Sequence, residues 1–123
     1  MKIVINKCYG CFGLSDAAIE HFLKLKGKTF QKMCSVFGGP DRLAQPGDSR
    51  FNVYYMVDGK YFSDIEISRV EYDLIATIEI LGSEAASGWA SELKIIDIPD
   101  GTKWEVNEYD GLEWIAEVHK KWS

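Results

Sequence analysis

The sequence predicts an α+β fold, a mixed or antiparallel sheet of about five to seven strands with two helices on one face. Three observations point there. Short β-branched or alternating runs recur along the chain, three Asp-Gly dipeptides separate such runs, and two stretches place apolar residues at helical spacing. At 123 residues the chain has the length of one domain, and residues 1–123 are expected to form it without disulfide or metal staples.

Taken in order, residues 2–6, KIVIN, are short and β-branched and read as the first strand. Ser15 fits a helix N-cap, with Asp16 favourable in the first turn. Ala18, Ile19, Phe22 and Leu23 then recur at helical spacing, and Gly27 is placed to end that helix. Residues 28–37, KTFQKMCSVF, alternate loosely and are assigned to a strand, whereas residues 38–49, GGPDRLAQPGDS, carry loop punctuation throughout. In RFNVYYMVDGKYFS, residues Phe51, Val53, Tyr55 and Val57 alternate, Asp58-Gly59 turns the chain, and residues 60–63 return as a hairpin.

Ser68 and Glu71 have the spacing of a capping box, and Leu74, Ile75, Ile78 and Leu81 form an apolar face. A second helix is therefore predicted over 69–81, closed by Gly82. SEAASG reads as a polar connector, residues 92–98 as a strand, and PDG as a turn. Residues 103–109 alternate Trp104 and Val106 against charge, and Asp110-Gly111 signals another hairpin. The spacing of residues 112–119 fits a strand or a helix, and the preceding turn favours a strand.

Composition excludes several function classes. The net charge is −5, and no run of Lys or Arg is longer than Lys120-Lys121, which speaks against binding a nucleic-acid duplex. Residues 74–81 are the longest apolar segment, and Thr77 and Glu79 interrupt it, so no membrane partner is expected. Residues 1–7 lack the apolar run of a secretion signal, and three cysteines make an odd number for a disulfide framework. A cytosolic protein with reduced thiols is the consistent expectation.

Five groups of residues bear on function. Cys8-Tyr9-Gly10-Cys11 lies between a strand and a helix, where a C-x-x-C serves as a redox pair, a zinc clip, or small side chains packed in a turn. Gly10 and Gly13 either cradle a phosphate or supply positive φ for a compact turn, and Asp16 opposes an anion at that helix start. Asn6, Lys7 and Tyr9 would neighbour a ligand bound there. Near the C-terminus, Glu105, Glu108, Asp110, Glu113 and Glu117 form an acidic cluster in which the hairpin sets Glu108 opposite Glu113; a solvated hairpin face is favoured over catalysis. Among the four tryptophans, Trp104 and Trp114 are expected in the core and Trp89, beside Gly88, at the surface. Trp89 with Arg69 as a phosphate donor would make a nucleotide pocket. His21 sits at the margin of a helix face, and neither it nor His119 has a nucleophile at motif spacing.

Both ends of the chain resemble a largely uncharacterised family of small proteins carried by bacteriophages and prophages. The motifs are KIVINKCYGCFGLS at the start, and ELKIIDIPDG with Tyr109-Asp110-Gly111, Glu113, His119, Lys120 and Trp122 toward the end. The family pattern has glycine where this chain has Cys11, and residues 27–69 are unmatched. The resemblance implies a phage accessory protein in the host bacterial cytoplasm, of a kind that blunts host defence by binding a host protein or sequestering a nucleotide signal. The expected activity is therefore non-enzymatic binding, through Asn6, Lys7, Tyr9, Gly10, Gly13, Arg69, Trp89 and His119. The ligand is a small nucleotide-like anion or a host defence protein, no cofactor or metal is expected, and homo-oligomerisation is left open. A thiol-dependent enzyme using Cys8 and a structural assembly protein are the alternatives.

Overall fold

The computed structural model of the chain describes residues 1–118. The strands are β1 (Lys2–Asn6), β2 (Phe30–Cys34), β3 (Arg42–Leu43), β4 (Val53–Val57), β5 (Lys60–Tyr61), β6 (Leu93–Asp97), β7 (Trp104–Tyr109) and β8 (Leu112–Glu117). The helices are α1 (Asp16–Leu25), α2 (Tyr72–Leu81) and α3 (Ser83–Ala86), with a 3₁₀ turn at Asp64–Glu66. The α+β class is as the sequence predicts. Within it, the eight strands described pair antiparallel in three separate ladders, β1-β6, β3-β2-β4-β5 and β7-β8, rather than in one sheet. No helix among the described residues is long and apolar enough to cross a membrane.

The chain divides into two compact units, one of Met1–Phe22 with the chain from Asp64 onward, the other Leu23–Ser63. In the first, β1 pairs with β6 from Lys2↔Asp97 to Asn6↔Leu93. Ile3, Val4 and Ile5 are buried, as are Ala18, Ile19 and Phe22 on α1, Leu74 and Ile78 on α2, and Leu93. A buried aliphatic or aromatic side chain of this size contributes about 1.5–3 kcal/mol, so this cluster is what the unit folds around. Val4 also gives its N–H to the carbonyl of Arg69 at 2.8 Å, so the strand is held from a second side.

Local chemistry sets the helix ends. Ser15 caps α1, its hydroxyl accepting from the Ala18 N–H at 3.1 Å. At the other end the Lys28 N–H reaches the Leu23 carbonyl at 2.9 Å and the Gly27 N–H that of Lys24 at 3.0 Å, with Gly27 left-handed at φ 69°. That is the paired closure for which glycine is suited. The start of α2 differs from expectation. Glu71, not Ser68, is the cap, its carboxylate accepting from the N–H groups of Asp73 (2.8 Å) and Leu74 (3.0 Å), so the helix begins at Tyr72. Residues 83–86, read from sequence as a connector, form α3, because the Gly82 carbonyl accepts from Ala86 at 3.0 Å and starts a new turn.

The second unit is the four-stranded ladder. Asp58 (φ 52°) and Gly59 (φ 74°) form the expected turn between β4 and β5. The predicted loop at 38–49 contains β3, which pairs Leu43 with Met33 and Arg42 with Cys34. Arg42 grips Asp48 through both terminal nitrogens, at 2.8 and 2.9 Å, and Asp48 also accepts from the Gln45 N–H at 2.6 Å. These three bonds hold the Asp48 carboxyl far below the usual carboxylate range. Burial pushes the Cys34 thiol up.

Candidate functional site

Asn6 ends β1 and organises the bend that follows. Its side chain is fully buried; its amide nitrogen donates to the carbonyls of Cys8 (3.0 Å) and Gly111 (2.8 Å). Its amide oxygen accepts from the N–H groups of Cys8 (3.3 Å) and Glu92 (2.9 Å). Two donors and two acceptor positions are all engaged within the fold. Among the described residues no buried side-chain nitrogen or oxygen lacks a partner.

Glu113 on β8 accepts from the Asn6 N–H at 2.7 Å and from both terminal nitrogens of Arg69, at 2.6 and 2.9 Å. The Arg69 guanidinium lies 3.6 Å over the Phe12 ring and reaches the Val4 carbonyl at 3.3 Å. A bidentate, mostly buried pair of this kind neutralises both charges and fixes both side chains. Arg69, read from sequence as a phosphate donor, is thus occupied in bracing the bend. The acidic cluster separates likewise. Glu108 does pair with Glu113 in register, but it accepts from the Gly111 N–H at 2.9 Å while Glu113 faces Arg69.

At Gly10 three backbone segments meet. Its N–H donates to the Asp110 carbonyl at 2.9 Å. A Cβ on Gly10 would stand 2.3 Å from the Ala90 carbonyl oxygen, and one on Gly111 would stand 1.3 Å from that of Gly10. Only backbone fits at either position. Gly13 serves otherwise than expected: Gly10 has positive φ (147°) and Gly13 does not. Instead the Gly13 carbonyl accepts from the Gly88 N–H (2.9 Å) and the Ser91 hydroxyl (2.7 Å), and a Cβ on Gly88 would lie 3.1 Å from it.

This close approach shapes a cleft of about 350 Å³, lined by residues 10–14 and 88–91 and by Asp64. The 3₁₀ turn presents Asp64, whose carboxylate accepts from the Leu14 N–H at 2.8 Å. The floor includes Phe12 and Leu14, both buried; Trp89 is 71% exposed. The lining contains no Lys, Arg or His among the described residues. Its N–H groups at Gly10, Leu14 and Gly88 are all bonded within the fold. A phosphate cradle needs such groups pointing outward, and a carboxylate beside it opposes an anion. The second unit has a hollow of about 500 Å³ beside Asp58-Gly59, but Asp58 there is paired with Lys28 at 2.8 Å and none of the sequence-predicted residues lines it.

Of the sequence-predicted set, Gly10, Gly13 and Trp89 come together in the cleft lining, and Asn6 and Arg69 brace it. Lys7 and Tyr9 are exposed and outside the lining, and His119 lies outside the described residues. The thiols of Cys8, Cys11 and Cys34 are all free; Cys11 lines the cleft. No group of three His, Cys, Asp or Glu side chains suited to a metal occurs among the described residues. His21 meets Thr77 at 3.2 Å. Trp104 is half-buried, but Trp114, expected in the core, is 43% exposed because its position on β8 points opposite to Glu113 and Ile115. Sequence reasoning missed Asp64 and Glu113 as organisers. Asp64 acts on a residue 50 positions away and carries no local signal.

Comparison with protein-family models, with curated proteins and with solved structures returns no match for this chain.

Proposed function

We propose that this chain is a non-enzymatic binding protein, a bacteriophage accessory factor that holds a host protein at the cleft formed by residues 10–14, 88–91 and Asp64 and so antagonises bacterial defence. The phage setting comes from the terminal sequence motifs. The observation that supports binding is the convergence of Gly10, Gly13 and Trp89 on one braced, largely apolar cleft with an exposed indole at its edge. Exposed tryptophans beside a preformed pocket are the usual anchors of protein–protein contacts.

A protein partner is favoured over a nucleotide signal because, among the described residues, the cleft lining offers a carboxylate and no cation. Two measurements test this. Wild type and Trp89→Ala are used as baits in a bacterial lysate, and any captured protein is identified, purified and titrated. Capture by wild type and loss by the variant is the expected result; equal capture by both contradicts it. Melting with a panel of nucleotides and cyclic nucleotides should leave stability unchanged. A bound nucleotide at a hundred times its dissociation constant would add about 2.7 kcal/mol and overturn the choice of partner.

A further inference from the structure

We propose that the cleft receives a guanidinium group, an arginine side chain on a basic face of the partner protein. The inference rests on the binding reading above and adds the chemistry of the group that is bound. Three observations carry it. First, Asp64 is the one formal charge in the described lining. Among the described residues its carboxylate accepts one hydrogen bond, from the Leu14 N–H to Oδ2. A carboxylate has about four acceptor positions, so it retains capacity for a further donor. Second, Trp89 lines the same cleft, and an indole face attracts a cation more strongly than other aromatic rings do. Third, the chain carries 19 acidic against 14 basic residues, which favours approach of a basic surface.

Arg69, which lies against Phe12 of the lining, does not oppose this. Glu113 holds it at 2.6 and 2.9 Å and cancels its charge. The same pair shows the chemistry in miniature: a guanidinium stacked on an aromatic ring at 3.6 Å while a carboxylate takes its donors. A planar fork fits such a ring-and-carboxylate site better than an ammonium, which acts as a point charge. The apolar stem of an arginine would meet Leu14 and Ala90, also in the lining.

The test is an NMR titration of the ¹⁵N-labelled protein, with the Trp89 indole assigned by its loss in Trp89→Phe. The probes are N-acetyl-arginine amide, its neutral isostere N-acetyl-citrulline amide, and AMP. Arginine amide should shift the Trp89 indole and the amides of residues 11–14, and citrulline amide should bind about tenfold more weakly. Asp64→Asn, whose amide oxygen can still accept from Leu14, should reduce arginine amide to the citrulline level with the rest of the spectrum unchanged. Equal shifts from arginine and citrulline, or no effect of Asp64→Asn, would overturn the guanidinium assignment while leaving the cleft as a binding site. A preference for AMP, or no movement of Trp89 with any probe, would overturn both.

Discussion

Gly10 and Gly111 pack carbonyl against Cα, and that contact decides whether the bend and the C-terminal hairpin can coexist. Gly111 has φ 87°, and a methyl group there would stand 1.3 Å from the Gly10 carbonyl oxygen. Gly101 has almost the same φ, 82°, with open space around it. The pair separates backbone strain from steric exclusion. Gly101→Ala should lose about 1 kcal/mol, the strain of a left-handed alanine alone. Gly111→Ala should lose about 3 kcal/mol or more, since backbone has to move as well. Urea melts of the two variants check this, and similar losses would mean the segments are not in contact. The same residues explain why Asn6 is asparagine: a buried amide with two donors and two acceptors can serve Cys8, Glu92 and Gly111 at once.

Among the elements, β3 is held to β2 by its ladder and is backed by an ion pair. It has two residues, and Arg42 on it is tied to Asp48. Asp48 ordinarily titrates near 3.8, and its carboxyl in the fold lies far lower because Arg42 and the Gln45 N–H bond the charged form. The folded state thus keeps a carboxylate under conditions in which the unfolded chain binds a proton. Its contribution is complete above the ordinary value and is lost as the pH falls below it. Asp48→Asn, which does not titrate, should therefore melt lower than wild type near pH 6, and the gap should begin to narrow below about pH 4 and shrink steadily as the pH falls further. A gap independent of pH would contradict the role assigned to Asp48. Elements of this size also mark where the sequence was legible. The strands on either side of Asp58-Gly59 and Asp110-Gly111 were readable because alternation and turn chemistry agree. The start of α2 was misplaced because S-x-x-E places a cap at Ser68, whereas the Glu71 carboxylate caps the helix itself. The β3 pairing was hidden by glycine and proline around it, and the cleft was only partly visible. Gly10, Gly13 and Trp89 drew notice by type, but Asp64, Gly88 and Glu113 act through contacts that only the fold creates.

One of the two units is built to present a surface. The β1-β6 ladder, α1 and α2 supply the buried cluster. The Asn6–Glu113–Arg69 network then fixes the bend, and the Gly13–Gly88 approach forms the cleft above Phe12 and Leu14. Nothing in that arrangement has to move for a partner to be gripped, which suits a preorganised binder. The most direct measurement is photo-crosslinking in bacterial cells, with p-benzoylphenylalanine in place of Trp89 and, as a control, in place of Ile80, which is 64% exposed on α2 and outside the cleft lining. One discrete protein adduct is expected from position 89 and none from position 80. No adduct at 89, or the same adducts from both positions, would contradict binding at the cleft.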